Sequence, residues 1–159
     1  MKPWFPWVSL VARLVLGGVM LVAGALKVTD PEAATQAVRA YELLPQGFDG
    51  IVGMLLPILE IAIGLMLIIG YGVRPAAVAA GVFMVLFIAA VSSAWARGLA
   101  IDCGCFGGGG QVAPGDTKYL QEILRDTGLL VLAGWLYLKP LSKFALESDP
   151  HTSTGVTAS

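Results

Sequence analysis

Four long apolar runs set the pattern of the chain, at about 9–28, 51–70, 75–95 and 117–138. Each approaches the roughly 20 residues that a helix needs to cross a bilayer, so the pattern predicts four transmembrane helices. Between the first two, Asp30-Pro31-Glu32 opens a short helix with a capping side chain, a proline at the first position and an acid in the first turn. Ala33, Ala37, Ala40 and Tyr41, with Val38 and Leu44, give that helix one apolar side, which suits a surface helix that roofs part of a bundle. Residues 71–75 read as a tight turn. The glycine-rich segment 96–117 shows no preference for helix or strand.

The fourth run is the irregular one. Its uninterrupted apolar part, 128–138, covers about 16 Å at about 1.5 Å per residue, against a bilayer core of about 30 Å. Glu122, Arg125 and Asp126 must therefore lie within the bundle or border a hydrated dip, unless the bilayer is locally thin. Glu122 and Arg125 have the spacing of a helical ion pair.

Polar positions inside the other runs keep a helical register. Arg13, Gly17, Gly24 and Lys27 share one stripe of the first helix, and small residues on a membrane helix let a neighbour's backbone approach. That stripe is expected to face the bundle; the alternative is that both charges merely mark the interface by snorkelling. In the second run, Gly53, Pro57, Glu60 and Gly64 share a face, with Glu60 near the midplane. An ionisable group at that depth must be neutralised or paired, and by default it marks function. Lys27 is its natural partner if the two glycine faces meet, and a protonated Glu60 serving only packing is the plainer reading.

Composition agrees with a membrane protein. The 159 residues are 57% hydrophobic and only 13% charged, and the formal net charge is −1, which argues against a nucleic-acid partner. The first run lacks a small-residue cleavage site and is read as a retained helix rather than a signal peptide. The predicted fold is all-α: an integral membrane four-helix bundle over residues 1–140, with a flexible polar tail at 141–159. The single histidine, His151, lies in that tail and is read as inert.

The chemistry points to one loop. Cys103 and Cys105, the only cysteines, stand one residue apart before four glycines, between the third and fourth runs. Two thiols at this spacing reach disulfide geometry only in a bent backbone, so their bond should be strained and reducible. Exchange needs a thiolate, which nearby cations favour; Arg97, Lys118 and especially Arg125 are candidates, whereas Asp102 opposes it at Cys103. A copper or zinc site is the chemical rival, but two sulfurs supply half a tetrahedral set and the loop has no histidine. Lysine and arginine divide five against five between the two sides and leave the orientation undecided. Disulfide chemistry persists outside the cytosol, so the cysteine loop is placed outside and both termini in the cytoplasm.

The sequence resembles the DoxX-like four-helix membrane proteins, most closely the MauE (methylamine utilisation) branch. The matching residues are Gly17-Gly18 and Gly24-Ala25-Leu26-Lys27, Leu56-Pro57-Ile58-Leu59-Glu60 with Gly64, and Asp102-Cys103-Gly104-Cys105-Phe106-Gly107. The resemblance covers about residues 10–140 and implies thiol–disulfide traffic at the membrane, linked to maturation of a disulfide-rich periplasmic methylamine dehydrogenase subunit. It also implies a thioredoxin-like or other extracytoplasmic thiol partner, since this chain carries no thioredoxin domain of its own. The expected function is a redox protein of the bacterial inner membrane whose site is Cys103, Cys105, Arg125 and Glu60. A quinone near Lys27, Glu60 or Arg125 is the candidate cofactor, ahead of a metal, because no second cysteine pair offers an electron sink. The competing class is an accessory subunit of a larger membrane complex that uses the cysteine loop for docking; solute transport through Glu60 is a weaker third.

Overall fold

The computed structural model describes residues 4–45, 47–106 and 108–140. The expected tail at 141–159, His151 included, lies outside the described residues. The elements are α1 (Phe5–Thr29), α2 (Pro31–Ala40), α3 (Phe48–Ile69), α4 (Val73–Ala96), β1 (Ile101–Asp102), β2 (Gly110–Gln111) and α5 (Tyr119–Leu138).

The four long helices run up and down as a bundle. Helix α1 packs chiefly on α3, and α4 on α5, while the α3–α4 seam is the loosest of the four. Among the described residues three helices, α1, α3 and α4, are long and apolar enough to cross a membrane. The fourth, α5, spans 20 residues and turns the acids of its first two turns, Glu122 and Asp126, inward. Large apolar side chains such as Val11, Ile51, Met54, Val82 and Val131 point outward along the helices. On a soluble domain they would be a liability; facing lipid they need no cover. Trp4, Trp7, Tyr71 and Tyr137 are exposed at the end where α1 starts and α5 stops, and Trp95 at the other, where amphipathic rings mark the headgroup level.

The α1–α3 contact follows from the glycine register. A Cβ on Gly17 would lie 2.9 Å from the Gly64 carbonyl oxygen, and one on Gly24 would lie 2.7 Å from that of Pro57. Only glycine permits that approach, so the two stripes do face each other. Arg13, on the same stripe, is buried at 2% exposure. At the terminal end the Ser9 hydroxyl donates to the Lys139 carbonyl at 2.9 Å and accepts from Trp135 Nε1 at 3.2 Å, which ties the start of α1 to the end of α5.

Helix α2 forms where its sequence places it. The Asp30 carboxylate accepts from the Ala33 amide at 3.0 Å, the capping bond that the Asp-Pro-Glu start predicts. Its buried face is Ala34 and Ala37, and an Arg39–Asp49 ion pair at 2.5 Å anchors it to the first turn of α3. The cysteine segment departs from the expected structureless loop. Ile101 pairs with Gln111 and Asp102 with Gly110, a short antiparallel ribbon that folds the segment back over the bundle.

Candidate functional site

The loop end of the bundle gathers nearly every polar group that the apolar runs contain. Lys27, in the last turn of α1, donates to both oxygens of Glu60 from α3, at 2.7 and 2.9 Å. Glu60 is 1% exposed, and the ammonium also lies 5.3 Å from the centroid of the Phe87 ring. The midplane carboxylate is thus neutralised by the partner that the glycine stripes bring to it.

Helix α5 corrects one expectation. Arg125 does not pair with Glu122; its guanidinium contacts the next residue, Asp126, with Nη2 at 2.8 Å and Nε at 2.9 Å from Oδ1. The same guanidinium lies 4.9 Å from the centroid of the Phe106 ring. Helix α5 presents Asp126 to the interior, so Arg125 folds back to it, and Glu122 is left to face the loop. The side-chain ligand atoms of Asp102, Cys103 and Glu122 all lie within 4.8 Å of one another. Glu122 is buried, and its Oε2 has no hydrogen-bond partner among the described residues. No spacing rule pointed to Glu122 as a neighbour of Cys103, because that contact is set by the rotation of α5 beneath the loop. One sulfur and two carboxylates also make this the group of side chains that could hold a cation.

The loop is held down from two sides. On α5, the Tyr119 hydroxyl donates to the Leu99 carbonyl and accepts from the Ile101 amide, the latter at 3.2 Å. On the other side the loop backbone rests on Ala37 of α2. Gly104 and Gly109 have φ of +65° and +111°, and a Cβ on Gly104 would come within 2.6 Å of the Ala37 methyl. A Cβ on Gly109 would meet the same methyl. Glycine is needed at both for conformation and for clearance. Helix α2 is therefore a roof over the cysteines.

Both cysteines are free thiols and both are buried. The Cys105 amide donates to Cys103 Sγ at 3.2 Å, which ties the Cys103 side chain to the Cys105 backbone in a bent turn. Their surroundings differ. The Cys103 thiol is pushed well above the ordinary thiol range by its hydrogen bond with Cys105, by burial and by the neighbouring Glu122 carboxylate. Cys105 is held below that range by the hydrogen bond from Cys103 and by the charges of Arg125 and Lys27, against burial and Asp126. The two environments favour the proton on Cys103 and the thiolate on Cys105. Of the cations expected near the pair, Arg125 acts in this way. Arg97 is instead engaged with the Ser93 and Tyr41 carbonyls.

A cavity of about 20 Å³ joins these groups, bordered by Lys27, Glu60, Cys105, Phe106, Arg125 and Asp126. It has room for about one water molecule. Glu60, Arg125 and Cys105 of the expected site thus border one small space. Cys103 lies on the wall of a second, apolar cavity of about 270 Å³ under α2.

An up-and-down helical bundle with membrane-crossing helices and a roofed dithiol at one end defines an all-α integral membrane protein. The family model of methylamine utilisation protein MauE matches residues 5–139, and the chain belongs to that family. The match names the MauE branch of the resemblance and not the wider DoxX-like grouping. A methylamine utilization protein MauE of Paracoccus denitrificans is 33% identical over 105 residues, 65% of this chain and 56% of that protein. The aligned stretch thus spans little more than half of the relative's length. No solved structure matches the chain.

Proposed function

We propose that this chain is a thiol–disulfide redox protein of the bacterial inner membrane, with both termini in the cytoplasm and the cysteine loop outside. The observation that carries the reading is a pair of adjoining buried cysteines in unlike surroundings, Cys103 beside the Glu122 carboxylate and Cys105 in one cavity with Arg125, which bias Cys105 toward thiolate and Cys103 toward thiol. Attack needs one thiolate, and closure needs a second thiol whose proton has somewhere to go. In the forward step Cys105 attacks one sulfur of a partner's disulfide and forms a mixed disulfide, and the partner's other sulfur leaves as a thiolate. Cys103 then gives its proton to Glu122 and attacks the Cys105 sulfur. The Cys103–Cys105 bond forms, and the partner departs reduced by two electrons, its two thiolates taking protons from Glu122 and from water. The reverse sequence oxidises a partner dithiol through the same Cys105-linked intermediate.

The partner is a thioredoxin-like or maturing disulfide-containing protein on the outer side, and half-exposed Phe106 beside Cys105 offers it an apolar contact. The relative's name ties that protein to methylamine utilisation, and a substrate-oxidising system of that kind is the setting we assign to this chain. The test is acid quenching and alkylation of native membranes to read the thiol state. Cys103→Ser should trap a mixed disulfide through Cys105, and the double serine variant should abolish exchange while the helices stay folded. A pair that never changes state, and whose loss leaves function intact, would make the chain an accessory subunit that docks through this loop.

A further inference from the structure

We infer that the apolar cavity under α2 binds the ring of an isoprenoid quinone, which accepts the electrons of the Cys103–Cys105 dithiol. This inference rests on the redox reading above and supplies its electron sink. The cavity of about 270 Å³ is bounded by α2, α3, α4 and the cysteine loop. Of the described residues lining it, only Lys27, Tyr41 and Cys103 carry a polar side-chain atom. Binding sites for small organic molecules run upward from about 300 Å³, so this one suits a single substituted ring and not a whole lipid or a peptide. Leu56 of α3 and Ala90 of α4 border it across the loosest seam of the bundle. An apolar tail can leave through that seam toward the hydrocarbon.

The chemistry narrows the occupant. The chain has two cysteines, so it offers no second dithiol of its own as a relay. The acceptor must take two electrons and two protons, dissolve in an apolar space and reach Cys103. A quinone does each. When the S–S bond of Cys103 and Cys105 forms, the thiol and the thiolate release one proton and two electrons, and the two carbonyl oxygens of the ring take these up with a second proton from water, giving a hydroquinone. Tyr41 is held above the ordinary phenol range by burial and by the nearby Cys103 and Cys105, so its hydroxyl remains a donor for a ring oxygen. The Lys27 ammonium offers a second donor on the same wall. With the quinone as sink, the net direction is oxidation of the partner's dithiol.

The test uses the full chain, reduced and reconstituted in liposomes, with decylubiquinone as the probe. Oxidation of the pair is read by thiol alkylation, and hydroquinone formation by absorbance, in wild type and in Ala90→Phe, which fills the cavity. Oxidation by hydroxyethyl disulfide, a water-soluble oxidant that needs no ring site, is read in parallel. Stoichiometric hydroquinone from wild type, reduced at least tenfold in Ala90→Phe while the disulfide still oxidises the pair, supports the site. Should Ala90→Phe not fold, an azidoquinone photolabel on wild type that modifies Leu56, Ala90 or Tyr41 supports it instead, and a label elsewhere overturns it. A wild type that exchanges with dithiols and disulfides but leaves decylubiquinone untouched overturns the quinone site and spares the redox reading. Failure of both exchange and quinone reduction overturns the two together.

Discussion

The Lys27 ammonium grips both carboxylate oxygens of Glu60, 33 residues away in sequence, at 2.7 and 2.9 Å. Both residues are buried between α1 and α3, so each is the other's escape from a desolvated charge. Removing one partner of such a pair typically destabilises by about 3–5 kcal/mol, whereas replacing both by apolar groups is close to neutral. Glu60→Leu and Lys27→Met should each lower the unfolding midpoint in detergent, and the double variant should recover most of the loss. Equal, additive losses would mean that the two charges do not depend on each other.

The α1–α3 interface should fail at chosen glycines only. Gly24→Val places its side chain against the Pro57 carbonyl oxygen, which a Cβ alone would approach to 2.7 Å. Overpacking of this kind costs about 1–3 kcal/mol or more. A Cβ on Gly18 would have nothing within 4 Å of it, so Gly18→Val should be near neutral. Thermal unfolding of the two variants side by side checks the difference.

Much of this interface was legible in the sequence because a membrane helix has few polar or small residues, and each one needs a reason. Gly17, Gly24 and Lys27 fall on one register and Pro57, Glu60 and Gly64 on another, so pairing the stripes also pairs the charges. The site above it was less legible. Arg125 had two acids within reach, at Glu122 and Asp126, and spacing along α5 favoured the wrong one. Which acid faces inward toward Arg125 and which faces Cys103 depends on how α5 is rotated under the loop, and no local pattern encodes that. The contact of Gly104 and Gly109 with Ala37 was hidden for the same reason: glycines advertise conformational freedom and say nothing of the partner they make room for.

The two thiols should titrate on opposite sides of the ordinary value of 9.0. Between the lowered Cys105 value and 9.0, the native chain binds fewer protons than the unfolded one, so stability rises with pH. Between 9.0 and the raised Cys103 value it binds more, and stability falls. Alkylation followed by peptide mapping should modify Cys105 first below pH 9.0. Arg125→Met and Cys103→Ala should each slow that reaction near neutral pH by several-fold, since each removes support for the thiolate. Cys103 reacting first would reverse the assignment of attacker and closer.

Glu122 should govern closure and leave attack alone. Removing a proton acceptor typically slows the step it serves by about 10²-fold or more. Glu122→Gln should therefore accumulate the Cys105-linked mixed disulfide with a partner while its formation rate is unchanged. Rapid quenching at intervals, followed by non-reducing electrophoresis, separates the two steps. Slowing of both to the same extent would make Glu122 a structural support of the loop.

The seal over the thiols is a methyl group set on glycine backbone. Burying one methyl-sized group is worth about 0.8 kcal/mol, little more than thermal energy. Tyr119 moors the loop to α5 at Leu99 and Ile101, ahead of the cysteines, while Gly104 and Gly109 meet the roof at Ala37. The mooring and the seal therefore sit at different points of the loop, and the roof is held separately, by the Arg39–Asp49 pair and by Arg97 on the Tyr41 carbonyl. Access to the dithiol is thus metered at one side chain: enlarging residue 37 should wedge the roof off Gly104 and Gly109 and leave the thiols open to any passing oxidant.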